Sequence, residues 1–521
     1  MKNKRKNIII LLILILLLTL GIGITYAIFK WTSSNSDITF NIEGCYVTYD
    51  DGGDITGASL GPALSKDDTN NVLSKKITLS PECSGVTANL TLKVNEIAPE
   101  LKNTSFIWSL YEGNTKVSSG NFADATTNKV YTLLSTKTLT ENTTTTYTLY
   151  IYIDGTVDND SSMGGKSFKF TLGASGENAL YKEPPVNAVT LVEGLDKGTT
   201  GDSGSGVYKV QHSAIAGSNS ATGSEIPAVT DYRYYGPSPN NYICLDMEGG
   251  STCPDKHLYR IIGSIYEEKE NTNRLKVIKA TPLTDGTTSG FSWDCKVTNG
   301  SKSYISIWAT ITSGNYSNSL TSGSSLMTLL NSGLWWNGTS GSYYNNSTTA
   351  TTVNFTNYKL SDKAKSYINV SRYYLGEYET NNDVMTEQWY TYERGTIRYD
   401  TNMPLYWDGN VGLMYPSDFG YAAGNTCVAG TTPSSYKNGC KDKDWLFMPN
   451  SSDYTNRYEW LMTPVSTNSY AIFNITDEGF ISYTMYSGVY RVYSVRPTFY
   501  LKSDTMIKSG KGTSTNPYIL S

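Results

Sequence analysis

Histidine is almost missing from this 521-residue chain, which carries two, His212 and His257. There is no Cys-x-x-Cys pair either, so a tetrahedral zinc site has to assemble from scattered ligands, and neither a metal nor a cofactor is expected. Basic clusters are absent beyond the first few residues: Lys and Arg total 42 against 47 Asp and Glu, for a net charge of −5. Nucleic acid binding needs clustered cations to displace counterions, so no nucleic-acid partner is expected. Charged residues make up 17% of the chain and phenylalanines number 13, against 41 tyrosines. With abundant Thr, Ser, Asn and Gly, that balance suits strands and polar loops rather than helical bundles.

What is there begins with the apolar run Ile8 to Phe29, preceded by Lys2, Lys4, Arg5 and Lys6 and followed by Lys30. It holds no charge and no proline, and as a helix it reaches roughly 33 Å, enough for a bilayer core of about 30 Å. The basic flank puts residues 1–7 in the cytoplasm and the rest outside. The same features, with the small-ended Thr25-Tyr26-Ala27, also fit a cleaved secretory signal. Residues 1–30 are therefore either a retained single-pass anchor, N-in/C-out on a bacterial plasma membrane, or a signal removed after Ala27 from a secreted protein. Without the four basic residues the net charge of the exported part goes from −5 to −9. No L-P-x-T-G sorting motif or apolar tail is present, so attachment is expected to rest on the amino-terminal segment.

Seven cysteines in an exported chain read as disulfides. The expected pairs are Cys45–Cys83, Cys244–Cys253 and Cys427–Cys440, with Cys295 left over. From 31 to 176 the strands show as alternation: Leu90-Thr-Leu-Lys-Val94, Tyr147-Thr-Leu-Tyr-Ile-Tyr-Ile153 and Phe168-Lys-Phe-Thr-Leu172. A side-chain period of two gives each a buried and a wet face, and an all-β sandwich is the expected closure. Asp50, Asp51 and Asp54 lack the spacing of a calcium loop and read as a solvated turn. Residues 177–229, with Pro184-Pro185 and a Gly/Ser/Thr-rich run, are expected to be a linker. Within it, Gly201-Asp-Ser-Gly204 matches the string around a trypsin-like nucleophile. No histidine precedes Ser203, so that mechanism is excluded.

Residues 230–521 read as a strand-rich α+β domain. Tyr259–Ile265 and Leu275–Lys279 form a hairpin signal. Helical signals are Leu326–Leu330 and a segment from Ser361 in which Ala364, Ile368 and Tyr374 face inward and Gly376 is the stop. The strand around Val495–Leu501 is expected to be internal, with Pro497 at a bulge or at its start, and Pro517–Leu520 to fold back as a last short strand.

Two resemblances accompany these readings. Gly21-Ile-Gly-Ile-Thr-Tyr-Ala-Ile-Phe29, and the Tyr147–Gly155 strand with the strand after it, resemble camelysin/TasA-type surface proteins of Gram-positive bacteria, in which the signal leads straight into a β-domain. Leu258-Tyr-Arg-Ile-Ile-Gly263, Gly412–Tyr421, Trp460-Leu-Met-Thr-Pro464 and Val495-Arg-Pro-Thr-Phe-Tyr-Leu501 look like an uncharacterised family of Firmicutes surface domains. Their ending is similar to the C-type-lectin or formylglycine-generating-enzyme fold. That resemblance implies a lectin-like frame and a surface location; it supplies no activity, and the lectin calcium strings Glu-Pro-Asn and Trp-Asn-Asp are absent.

The candidate ligand site is the aromatic belt from Trp389 to Tyr421. Trp389, Tyr392, Trp407 and Tyr415 offer faces on which sugar rings stack, and Asp408 and Asp418 are acceptors for their hydroxyls. The competing reading makes these core and turn residues of a tyrosine-rich fold. Asp400 with Asp408, or Asp408 with Asp418, is the corresponding candidate acid pair of a polysaccharide-active enzyme. The expected function is a cell-surface binding or adhesion protein for glycan, cell-wall material or another surface protein, and no catalytic residue is assigned. A polysaccharide-active enzyme and a fibre-forming matrix protein are the alternatives.

Overall fold

The computed structural model describes residues 30–32, 45–51, 61–157, 161–182, 184–196, 204–304, 306–309, 323–379, 384–401, 403–424, 440–448, 458–483 and 488–521. The Ile8–Phe29 anchor or signal lies outside the described residues. Among those described, no helix is long and apolar enough to cross a membrane. The chain divides into two compact units, Met1–Pro184 and Pro185–Ser521.

The first unit is all-β. One sheet carries Lys30–Thr32, Phe168–Glu177, Thr87–Ile97 and Val130–Thr138 in that order; the other runs Leu180–Lys182, Tyr46–Asp50, Leu73–Pro81, Thr145–Asp154, Phe106–Glu112 and Thr115–Asn121. The alternation explains the packing. Tyr147, Leu149 and Ile151 from one sheet and Leu90, Leu92 and Val94 from the other point into a single core, while Thr91 and Lys93 face out. Phe168 and Phe170 keep the alternation with Leu172: both are half-buried and packed against this core, and Lys169 and Thr171 are exposed. Cys45 and Cys83 are bonded. Asp51 is ion-paired with Lys75 at 3.7 Å, and Asp54 lies outside the described residues.

The second unit is strand-rich with short helices, built on a ten-stranded sheet in which Leu258–Glu267 pairs with Thr272–Lys279 as the expected hairpin. Thr498–Leu501 sits between Thr272–Lys279 and Ile368–Asn369, so it is internal, and Pro497 stands just before its first residue. Tyr518–Leu520 folds back onto Met506–Ser509 and Tyr242–Cys244. Cys244 and Cys253 are bonded. Cys440 is also disulfide-bonded, while Cys427, its expected partner, lies outside the described residues, and Cys295 is free and buried.

Two expectations are corrected. The expected linker 177–229 divides between the units: Glu177 ends one strand of the first and Leu180–Lys182 forms another, and residues from Pro185 on belong to the second. Val186–Asn187 pairs with Met506–Ser509, Asn187 caps the helix Ala188–Gly194 by accepting from Val189 N and Thr190 N, and Val192 is fully buried. Gly206–His212 then pairs along its whole length with Val229–Tyr235. A few apolar residues suffice where the backbone is satisfied by a neighbouring strand, so the Gly/Ser-rich composition conceals the structure. The helix from Ser361 covers only Asp362–Ser366; Ile368–Asn369 and Ser371–Tyr374 are strands. Ile368 and the tyrosines are better strand than helix formers: Ile368–Asn369 adds to the large sheet beside Thr498–Leu501, and Ser371–Tyr374 pairs with Tyr406–Gly409 in a separate two-stranded sheet.

Candidate functional site

The strands Gly206–His212 and Val229–Tyr235 are antiparallel, with Val210 opposite Asp231 and Tyr208 opposite Arg233. Alternation therefore places His212, Asp231 and Arg233 on one face, His212 diagonal to Asp231. His212 Nε2 lies 3.0 Å from Asp231 Oδ2. Arg233 donates to the same oxygen through Nε and Nη2, at 3.2 and 2.8 Å, and reaches Asp418 Oδ1 through Nη1 at 3.0 Å. Asp418, in the first turn of the helix Pro416–Ala422, also accepts from Lys276 Nζ and from Tyr415 N. All five of these ionisable side chains are buried. They belong together: an isolated buried charge would be prohibitively costly, and each here has an opposite charge or a hydrogen-bond partner beside it.

The helix Thr386–Glu393 supplies the other wall. Tyr390 lies parallel to the His212 ring, with centroids 3.6 Å apart and planes 3° from parallel, and the Arg394 guanidinium is 3.5 Å from the same tyrosine centroid. Two groups that close cannot share one face, so Tyr390 is sandwiched between imidazole and guanidinium. His212 and Tyr390 line a half-open cavity of about 260 Å³ together with Ser213, Ile215, Asn219, Glu387 and Thr391. That volume is just below the range of roughly 300–1,000 Å³ typical of ligand pockets, so it takes one small ring rather than a chain.

Burial pushes the His212 pKa below its ordinary value, against the pull of Asp231, so the ring is neutral at pH 7. Burial also works to raise the Asp231 carboxyl, but Arg233 and His212 outweigh it and hold the group ionised. A carboxylate only accepts, hence Nε2 carries the imidazole proton and Nδ1 is left as an acceptor. Among the described residues, Nδ1 of His212 and the hydroxyl of Tyr390 are both buried without a hydrogen-bond partner. One is an acceptor and the other a donor, both on residues lining one cavity. Such orphans are rare in folded proteins and cost about 1–3 kcal/mol each until something satisfies them.

The belt expected from the sequence lies elsewhere in the packing. Trp389 is buried edge-on against Phe473 at 4.8 Å, and Trp407 is buried beside Tyr373 at 5.7 Å. Tyr415 is buried with its hydroxyl bonded to both backbone groups of Tyr374. Tyr392 is half-buried and stacked on Tyr378 at 3.9 Å, and Asp408 is held by Arg372 through both oxygens, at 3.0 and 3.2 Å. Asp418 is buried among cations that keep its carboxyl low despite burial. A sugar cannot stack on faces that protein already covers, so Trp389, Trp407 and Tyr415 pack as core, while Tyr392 and Asp408 stay partly exposed. Asp418 does not fit the acid of such a pair, which needs a raised pKa: Lys276 and Arg233 hold its carboxyl low against burial. The sequence reading passed over His212, Asp231 and Arg233. Their signal was the Asp231-Tyr-Arg233 spacing in a strand, which puts two opposite charges on one face.

No protein-family description matches the chain, and no curated protein does. Among solved structures, the Clostridium perfringens protein described as CpGH89CBM32-5, in complex with GalNAc-beta-1,3-galactose, aligns at 18% identity over 25% of this chain and 94% of that one, with a TM-score of 0.12. A beta-D-glucuronidase of Dictyoglomus thermophilum aligns at 8% identity over 68% of this chain and 50% of its own, also with a TM-score of 0.12. The chain thus matches about half the length of the glucuronidase. At those scores neither similarity informs the fold or the function.

Proposed function

We propose that this is an exported bacterial surface protein whose second unit, on a lectin-like frame, binds a neutral hydroxyl-bearing ligand of monosaccharide size in the His212–Tyr390 cavity. The observation that carries this reading is the pair of orphan atoms, Nδ1 of His212 and the hydroxyl of Tyr390. Both atoms are sealed off from the cavity in the free protein, so a side chain must turn to present them; the hydroxyls of one sugar ring, each both donor and acceptor, then satisfy both, which an apolar ligand cannot do. Glu387, Asn219, Ser213 and Thr391 at the cavity wall add further partners. Glu387 disfavours anions. The proposal keeps the expected exported location, with the membrane contacted through residues 8–29 unless they are cleaved, and moves the ligand from the Trp389–Tyr421 belt to this cavity.

The test is saturation-transfer NMR of the purified chain with glucose, galactose, mannose and N-acetylglucosamine. At least one should receive saturation from the wild type and lose it in Glu387→Ala and Asn219→Ala, whose exposed side chains are not needed for folding. Failure of all four neutral sugars, or preferential binding of acetate or phosphate, overturns the reading.

A further inference from the structure

We propose that Asp246, Glu248 and His257 bind one divalent transition-metal ion of the zinc type, at a site separate from the His212 cavity. One ligand atom from each residue lies within 4.8 Å of the other two. The chain brings them together in a compact way. The Cys244–Cys253 disulfide, with Cα atoms 5.8 Å apart, closes the loop that carries Asp246 and Glu248, and Leu245 N donates to His257 O at 3.1 Å across its base.

His257 is fully buried, and its imidazole hydrogen-bonds to one partner among the described residues, Glu248 Oε1 at 3.1 Å, itself a member of the group. Its Nδ1 has none. The buried imidazole thus presents Nε2 to the carboxylates, with no partner among the described residues for that nitrogen outside the group. Asp246 is aimed by two neighbours: Oδ2 accepts from Ser361 Oγ at 2.6 Å and Oδ1 from Glu248 N at 3.1 Å. Outer hydrogen bonds of that kind orient metal-binding carboxylates. One nitrogen and two carboxylate oxygens form a three-ligand set that leaves a fourth position for water, and two carboxylates balance the charge of a divalent ion. Lys256, which holds Glu248 Oε1 at 2.8 Å, is partly exposed and on a flexible stem, so it can give way to the ion.

The test is titration of the purified metal-free chain with Zn2+ against a chromophoric chelator. Wild type should bind one ion saturably, and Asp246→Asn, Glu248→Gln and His257→Gln should each weaken binding at least tenfold. His212→Gln should leave it unchanged. Thermal melts without metal show which variants fold; if His257→Gln does not, the two carboxylate variants decide. Absence of saturable Zn2+ binding, binding that survives both carboxylate substitutions, or loss confined to His212→Gln overturns the site.

Discussion

Asp418→Asn tests whether the buried charges behind the cavity act as a unit. In the wild type Asp418 meets Arg233 at 3.0 Å and Lys276, with the three side chains no more than 2% exposed. The amide keeps the shape and still accepts from Tyr415 N, and Arg233 keeps Asp231. Lys276 is then left without a carboxylate. Removing one partner of a buried pair costs about 3–5 kcal/mol. At ~2 °C per kcal/mol for a unit of this size, the melting temperature should fall by roughly 6–10 °C. Burial already pushes the Lys276 pKa down, and losing Asp418 pushes it further. A group whose folded pKa is depressed contributes stability above its unfolded pKa and loses it as pH falls through the folded value. The gap between variant and wild type should therefore narrow from pH 7 to pH 10, as Lys276 sheds its proton. Differential scanning calorimetry at pH 7, 8.5 and 10 measures this. A loss under 1 kcal/mol at pH 7, or one that does not change with pH, refutes the reasoning.

Burial raises the Glu377 carboxyl to about 7 against the Tyr399 N–H that lowers it. Its contribution is thus present below the unfolded pKa and lost as pH rises through about 7, so Glu377→Gln should be more stable than wild type at pH 8 and equal to it at pH 4.5, as read from urea melts. Deleting residues 494–521 removes the internal strand Thr498–Leu501 and both strands after it, and should abolish the second unit's calorimetric transition; survival of that transition would show the strand to be dispensable. Protease added to intact cells should digest residues 230–521, and their protection would contradict export.

The first unit was legible because a sandwich writes its two faces into alternating residues; Tyr147 to Ile153 name the buried face outright. Thr498–Leu501 was legible for a related reason, since Val495 to Leu501 breaks the alternation and ends in three consecutive large apolar or aromatic residues, Phe499, Tyr500 and Leu501. The segment after Pro185 was not. There Asn187 supplies a cap and Val192 a core contact within a Gly/Ser/Thr background, and no local pattern tells a paired polar strand from a free linker. The aromatic belt misled because Trp389 and Trp407 are the residues a sugar groove would use and also the ones a core uses; only burial separates the cases. His212 was silent alone. Its meaning comes from Asp231 across the ladder and Tyr390 from a helix about 180 residues later.

The central claim, that a hydroxyl ligand completes the His212 cavity, is tested most directly by nitrogen-15 NMR of the two histidine rings. With two histidines in the chain, a His257→Gln sample assigns the spectrum. Free protein at pH 7 should show His212 neutral, protonated on Nε2, with Nδ1 as a bare acceptor. Adding the sugar identified by saturation transfer should move the Nδ1 resonance of His212 in the direction of hydrogen bonding and leave His257 unmoved. A His212 ring protonated on Nδ1, or an Nδ1 resonance unmoved at saturating sugar, would contradict the account.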